Sequence, residues 1–208
     1  MTQTAIDPDP NVPDPVVLTP GFQDDKRKLS WLAALMQRSG LQPIVISPQP
    51  TDGSVGIDCL ASLLAEEIEH HLGLVQPFDF FGFSMGGLIG RYYLQKLGGA
   101  KRMRRIVTLA TPHRGSWTAR LIPARPALLQ MYPDSGFLRA LNQDLTLLAQ
   151  HDFMALWTPF DLSVTPAHHA YLPMLPAQRI FSPFHGTLLH DPIVLREVVN
   201  LFMQQTPV

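Results

Sequence analysis

The sequence has few of the features that mark secreted or membrane-spanning proteins. Its 208 residues contain one cysteine, Cys59, which excludes an internal disulfide. No apolar run reaches the roughly 20 residues that a membrane-spanning helix requires. The N-terminus is acidic and rich in proline, and it lacks the basic and apolar regions of a signal peptide. We therefore expect a cytoplasmic protein that is at most peripheral to membranes.

The sequence also lacks an excess of charge of either sign. Sixteen basic and seventeen acidic residues give a net charge of −1, so no nucleic-acid partner is predicted. No acidic cluster has the arrangement of a calcium site, and we expect neither a metal nor a cofactor. No obligate protein partner is indicated. Cys59 stands among apolar residues of a predicted helix, and we expect its thiol to be buried and inert.

Strands and helices alternate along most of the chain. The sequence predicts strands at 16–18, 43–46, 78–81, 105–110, 153–157 and 178–181, with helices that include 57–72 and about 191–204. This alternation predicts an α/β fold, with a mostly parallel central sheet and helices on both faces. Residues 1–15 are predicted to be a disordered arm and 16–208 a single domain.

Residues 82–86 read Gly-Phe-Ser-Met-Gly and fit the G-x-S-x-G nucleophile-elbow pattern. An aromatic strand precedes the motif and apolar residues at helical spacing follow it, which is the strand–turn–helix context that the motif requires. Such a turn exposes the serine hydroxyl, and the helix N-terminus behind it stabilises developing negative charge. Ser84 is therefore the candidate nucleophile, and a chance glycine-rich loop is the alternative.

A serine nucleophile needs a base, and in the elbow fold this histidine follows the acid along the chain. His185 comes after the last predicted strand and just before the last helix. His190 lies at the predicted start of that helix, where a capping or solvated role is expected. His113 precedes every candidate acid, and we interpret it as a structural residue that holds the loop after its strand. The sequence thus predicts His185 as the base.

Four aspartates and no glutamate lie between the candidate serine and the candidate histidine. Asp134 and Asp144 belong to a segment broken by prolines, and Asp152 precedes its strand. Asp161 follows that strand, which places it at the sheet edge that carries the serine and the histidine. Asp161 is the predicted acid, with Asp152 second; a turn-stabilising role is the alternative for Asp161.

Acyl transfer through a serine also requires two backbone N–H groups that bind the oxyanion. The first is expected from Met85, the residue after the nucleophile. The second is expected from Phe22, in the loop after the first strand, where Gly21 permits unusual backbone angles. The Phe22 side chain is also expected to line the acyl pocket.

Together these residues make the chain resemble the α/β-hydrolase lipases, in particular compact bacterial triacylglycerol lipases and esterases. The resemblance extends from residue 16 to about residue 203. Residues 108–116, Thr-Leu-Ala-Thr-Pro-His-Arg-Gly-Ser, are similar to the T-x-x-T-P-H-x-G-S segment of that family, and 185–192 to its catalytic-histidine segment. The chain departs from the family at Pro20, where a histidine usually stands before the glycine of the oxyanion loop.

The resemblance implies a serine carboxylic-ester hydrolase, a lipase or esterase that cleaves lipid-like acyl esters through an acyl-enzyme. An acyltransferase or thioesterase with the same triad is one alternative, and a non-catalytic hydrolase-fold binding protein is another. The expected partners are an acyl-ester or lipid substrate and, transiently, a membrane or lipid surface.

Two segments bear on how such a substrate would bind. Residues 113–150 are dense in apolar side chains and are expected to form a cap or lid over the serine, with Trp117 and Leu121 facing the substrate. The basic run at 101–105 is interpreted as a solvated loop before a strand, and attraction to anionic lipid headgroups is the alternative.

Overall fold

The computed structural model describes residues 14–204. Six parallel strands form one sheet in the order β2–β1–β3–β4–β5–β6. The strands are β1 (Pro15–Thr19), β2 (Gln42–Val45), β3 (Phe78–Phe83), β4 (Met103–Leu109), β5 (Asp152–Trp157) and β6 (Ala177–Arg179).

Helices connect these strands. They are α1 (Ser30–Arg38), α2 (Ile57–Leu72), α3 (Met85–Lys96), α4 (Pro126–Gln130), α5 (Gly136–Asn142), α6 (Thr146–Ala149) and α7 (Pro192–Met203). Short 3₁₀ helices lie at Lys26–Leu29, Gly99–Lys101, Trp117–Leu121, Ala167–Ala170 and His185–His190. Among the helices of residues 14–204, none has the length and apolarity needed to cross a bilayer.

Both faces of the sheet are covered. Successive side chains of a strand point to opposite faces, so Phe80 of β3 packs with α2 and α3 while Phe81 packs with α1 and α7. All six residues of β3 are buried, as expected of a parallel strand covered on both sides. The predicted α/β fold with a parallel sheet and two helical layers is confirmed, and all six predicted strands are present.

Two expectations about single positions are corrected. The Cys59 thiol is exposed. The buried stripe of α2 consists of Ile57, Leu60, Ala61, Leu64, Ile68 and Leu72, and the 3.6-residue period places position 59 outside it. Residues 1–13 of the predicted arm lie outside the described residues, and Pro15, assigned to that arm, is the first residue of β1.

The interpretation of the basic run at 101–105 as a solvated loop is only partly correct, because the last three of its residues belong to β4. Arg105 is buried, and its Nε lies 2.5 Å from Asp152 Oδ2. Arg104 pairs with Asp14. Arg102 donates a hydrogen bond to the carbonyl oxygen of Gln76 at 3.1 Å. These arginines are therefore held by groups of the chain itself.

Candidate active site

Ser84 occupies a sharp turn between β3 and α3, with φ of 53° and ψ of −124°. A positive φ costs free energy in a residue with a side chain, and such backbone strain persists only where the surroundings impose it. Here β3 pairs with β4 as far as Phe83, and α3 begins at Met85. Ser84 is the single residue between the strand and the helix, so its position is fixed at the end of β3.

Two glycines make this turn possible. A Cβ atom on Gly82 would lie 2.5 Å from the Cα of Gly87, and one on Gly86 would lie 2.2 Å from the carbonyl oxygen of Thr19. Those neighbours are backbone atoms that cannot turn aside. The spacing of the motif is therefore explained by the close crossing of α3 over β1 and β3.

The predicted base and acid are hydrogen-bonded to each other. His185 begins the 3₁₀ helix after β6, and its Nδ1 lies 2.8 Å from Asp161 Oδ2. The Asp161 side chain is fully buried, and its Oδ1 accepts the N–H groups of Ser163 and Val164 at 2.8 and 2.9 Å. A carboxylate at Nδ1 places the ring hydrogen there, which leaves Nε2 as the nitrogen that can accept a proton.

Ser84 and His185 line the same pocket, whose volume is about 490 Å³, a usual size for a site that binds small molecules. The Phe83 ring packs against the imidazole of His185 with 4.9 Å between centroids. Much of the remaining lining is apolar and comes from Phe22, Ala119, Leu121, Ile122, Leu128, Met131, Leu162 and Val164. Part of the segment 113–150 thus forms a wall of the pocket.

The expected oxyanion donors flank the serine. Met85 is the first residue of α3, where a backbone N–H has no partner within the helix. Phe22 follows Gly21, and a Cβ atom on Gly21 would lie 2.9 Å from the Cβ of Ser84. The loop after β1 therefore passes directly beside the serine, and both predicted amides belong to backbone next to it.

Thr51 fixes this loop, a role that sequence reasoning missed. Its carbonyl oxygen accepts the Gln23 N–H at 2.9 Å, and its hydroxyl donates to the carbonyl oxygen of Asp24 at 2.8 Å. The two bonds hold the residues just after Phe22. They supply a restraint in a loop where Pro20 stands in place of the family's usual histidine.

An ion pair forms part of the pocket lining. Lys28 Nζ lies 3.9 Å from Asp24 Oδ1, and both residues line the pocket. Burial raises the pKa of Asp24, and the nearby charges of Lys28 and His185 act against this rise. The neighbouring Asp25 caps the following 3₁₀ helix, since its side chain accepts the N–H group of Arg27.

His113 lies outside the pocket in a separate buried network. Its Nε2 is 2.9 Å from Thr108 Oγ1, and its Nδ1 is 3.2 Å from Arg91 Nη1. The Arg91 guanidinium also donates to the Leu141 carbonyl at 3.2 Å and to Asn142 Oδ1 at 2.9 Å. Burial lowers the pKa of Arg91 to about 9, and burial together with that guanidinium lowers the pKa of His113 well below its usual value. These contacts agree with the structural interpretation of His113.

The two side chains predicted to face the substrate point in different directions. Leu121 lines the pocket of Ser84 and is 83% exposed. Trp117 instead lines a neighbouring groove together with Asp134, and the Arg120 guanidinium lies 4.4 Å from its ring centroid. Positions 117 and 121 are four residues apart on a 3₁₀ helix with three residues per turn, so they lie on different sides. Trp117 therefore does not line the pocket of Ser84, and its contact with the substrate stays a prediction.

A family model described as the alpha/beta hydrolase fold matches residues 20–173. The chain belongs to this family. The match includes the serine turn and the Asp161 loop, whereas His185 lies beyond its end. No curated protein sequence matches this alpha/beta hydrolase.

Solved structures share the fold of this alpha/beta hydrolase at low sequence identity. The mature form of Bacillus licheniformis lipase BlEst2 is 17% identical, with a TM-score of 0.78 over 94% of each chain. Aspergillus fumigatus lipase B is 13% identical, with a TM-score of 0.75 over 95% of this chain and 54% of that chain. Est1E from Butyrivibrio proteoclasticus is 13% identical, with a TM-score of 0.64 over 93% and 88% of the two chains. At these identities the likeness shows the fold alone.

Proposed function

We propose that this alpha/beta hydrolase is a serine carboxylic-ester hydrolase, a lipase or esterase that cleaves lipid-like acyl esters. The observation that carries the proposal is the hydrogen bond between His185 and the buried Asp161 in the pocket of the strained Ser84 turn. A nucleophile, a base and a group that orients the base are the parts that nucleophilic catalysis by serine requires.

In the proposed reaction Ser84 Oγ attacks the ester carbonyl carbon while His185 Nε2 takes the hydroxyl proton. The carbonyl oxygen becomes an oxyanion that accepts hydrogen bonds from the N–H groups of Met85 and Phe22. The C–O bond to the alcohol then breaks, and His185 returns the proton to the leaving oxygen. Water repeats these steps on the acyl-enzyme, with His185 again accepting and returning a proton, and releases the carboxylic acid.

Asp161 orients the base in this mechanism. Its Oδ1 is held by two backbone N–H groups, so the carboxylate cannot turn away from His185. Its negative charge next to Nδ1 stabilises the imidazolium that forms in each proton transfer.

The lining of the pocket supports the proposal that the substrate is an ester with an apolar acyl group and a polar alcohol portion. Its walls are largely aliphatic, which favours burial of a hydrocarbon chain. The Asp24–Lys28 pair in the lining is suited to a polar leaving group. Four large apolar side chains are more than half exposed: Leu121 and Leu162, which line the pocket, and Phe160 and Phe184, which lie next to Asp161 and His185 in the sequence. We infer that they contact a lipid surface transiently.

Labelling with a fluorophosphonate probe tests the nucleophile. Wild type should become labelled and Ser84→Ala should not, while Ser163→Ala, which changes another serine of the same pocket, should be labelled like wild type. Labelling that persists in Ser84→Ala would overturn the assignment. Absence of labelling in folded wild type would favour a non-catalytic binding protein.

The substrate class is tested with p-nitrophenyl esters of increasing chain length. We expect kcat/KM for the decanoate to exceed that for the acetate, because the aliphatic walls gain contact with each added methylene group. A preference for the acetate would contradict the lipid-like substrate and leave the serine mechanism in place. Transfer of the acyl group to added alcohols or thiols in preference to water would favour an acyltransferase.

A further inference from the structure

A second cavity, of about 650 Å³, lies between α1 and the N-terminal part of α7. We call it the α1–α7 groove. It is larger than the pocket of Ser84, and within residues 14–204 no residue lines both. Nothing in the proposed ester hydrolysis requires a cavity in this position.

The groove has an apolar floor and an exposed aromatic wall. Trp31 and Leu35, one turn apart on α1, face Leu195 of α7 across it. Leu195 is only 7% exposed and forms the floor, whereas Trp31 is 68% exposed. An indole left in solvent beside a recessed apolar floor is typical of a surface that buries a ligand.

The remaining charges of the groove are basic. Arg38 comes from the last turn of α1 and Arg196 from α7, and His190 stands at one end. In the described part of the chain, the side chains of Arg38 and Arg196 have no hydrogen bond and no carboxylate within 4.0 Å. Four other arginines pair with aspartates: Arg27, Arg104, Arg105 and Arg125. Among residues 14–204, no carboxylate lines the groove. Two guanidinium groups are therefore available to an anion.

We propose that the α1–α7 groove binds a fatty acid anion, with the hydrocarbon chain along Trp31 and Leu195 and the carboxylate on Arg38 and Arg196. The guanidinium fork matches a carboxylate in geometry and charge. The eight residues from Trp31 to Arg38 span about 10 Å along the helix, enough to bury a substantial part of an alkyl chain.

The shape and composition of the groove select this ligand over two others. A small inorganic anion would leave the aromatic wall and the aliphatic floor in contact with water. A flat bilayer surface would not reach the recessed Leu195 side chain. A single hydrocarbon chain with one anionic end can contact the apolar floor and also pair with the two arginines.

Isothermal titration of dodecanoate below its micelle concentration tests the proposal in the full-length Ser84→Ala variant, so the outcome does not depend on hydrolysis. We expect a saturable site that Arg38→Gln combined with Arg196→Gln weakens about tenfold or more, since hydrogen bonds to a charged group are lost. Arg139→Gln, which removes another exposed arginine outside the groove, is the matched control and should leave binding unchanged. Dodecanol should bind about tenfold more weakly than dodecanoate.

A second variant fills the groove and keeps its charges. Ala34→Trp places a large side chain on the α1 wall and should abolish the same site, with a thermal melt showing that the variant is folded. Unchanged dodecanoate binding in the double arginine variant or in folded Ala34→Trp would overturn the proposal, as would equal affinity for dodecanol. Binding to phosphatidylglycerol vesicles that requires both arginines, without dodecanoate binding, would overturn it in favour of a membrane contact.

Discussion

His113 follows strand β4 and His185 follows strand β6, and the two histidines have opposite electrostatic surroundings. The Nδ1 atom of His185 faces the carboxylate of Asp161, and the ring lines a pocket. The Nδ1 atom of His113 faces the guanidinium of Arg91, and the ring is fully buried. A neighbouring anion favours the charged imidazole, while a neighbouring cation and burial disfavour it.

The comparison shows that the group facing Nδ1 decides what each histidine can do. In the proposed mechanism His185 accepts and returns a proton, whereas burial and the Arg91 guanidinium lower the pKa of His113 and favour its neutral form. The following predictions test this contrast, beginning with the largest effect.

Replacing Asp161 by asparagine should remove the feature that separates the two histidines. We expect kcat on a soluble p-nitrophenyl ester to fall by about 10⁴-fold, because the amide no longer stabilises the imidazolium or selects the reactive tautomer. Asp152→Asn is the control: it changes the second candidate acid, which pairs with Arg105 instead, and should keep kcat near that of wild type. Equal losses in the two variants would contradict the role of Asp161.

Exchanging each histidine for leucine should separate activity from stability. His113→Leu removes a buried hydrogen-bonding partner from Thr108 and one of several from Arg91, so we expect the free energy of unfolding to fall by about 2 kcal/mol with kcat little changed. His185→Leu should abolish ester hydrolysis with a smaller loss of stability, since its ring borders the pocket. Chemical denaturation and kinetics on the same samples provide the measurement. A severe loss of kcat in folded His113→Leu would show that the two roles are not separate.

The pH dependence of stability should reveal the neutral His113. Its pKa is lowered in the folded state from 6.5, so below about pH 6.5 the unfolded chain binds a proton that the folded protein excludes. Stability should therefore fall as the pH decreases, with a slope that approaches about 1.4 kcal/mol per pH unit. Burial raises the pKa of Asp79 to about 6, which acts in the opposite direction between pH 6 and 4.

The contribution of His113 is consequently read from the difference between wild type and His113→Leu at each pH, where the effect of Asp79 cancels. We expect that difference to shrink as the pH is lowered from 7 to 5. A difference that stays constant over this range would mean that His113 keeps an ordinary pKa in the folded protein.

The smallest expected effect concerns the loop beside Ser84, which assists the reaction independently of either histidine. Thr51→Val removes the hydroxyl bond to Asp24 and retains the backbone bond to Gln23. We expect kcat to fall about fivefold, the equivalent of one hydrogen bond of about 1 kcal/mol, with KM nearly unchanged. Thr146→Val, at an exposed helix end far along the chain, serves as control. An increase of KM alone would indicate that Thr51 shapes the substrate pocket.

Features set by local pattern and chain order were accessible from the sequence. The turn at Ser84 has its glycines and flanking elements in one short stretch, and the order of strands indicated which aspartate and which histidine would reach the same edge. Features set by partners distant in sequence were not accessible. Arg105 is paired with Asp152, and Thr51 holds a loop almost thirty residues earlier in the chain.

The directions of individual side chains were also not predictable from the sequence. The positions of Trp117 and Cys59 within short apolar stretches suggested contact with substrate and burial, respectively. Trp117 and Leu121 lie on a 3₁₀ helix, which has three residues per turn instead of the 3.6 of an α-helix. Side chains four positions apart therefore point to different sides of this helix. Cys59 is one position away from the buried stripe of α2. An apolar neighbourhood in sequence therefore did not determine the direction of either side chain.

The close crossing at Gly82 and Gly86 means that the position of Ser84 and the shape of its pocket are determined by different parts of the molecule. The serine is located by main-chain atoms of β1, β3 and α3, and no side-chain exchange elsewhere can easily move it. The walls of its pocket come largely from another part of the chain, including Leu121, Ile122 and Leu128. For the proposed ester hydrolysis, substitutions in those walls should therefore change which acyl groups are accepted without moving Ser84.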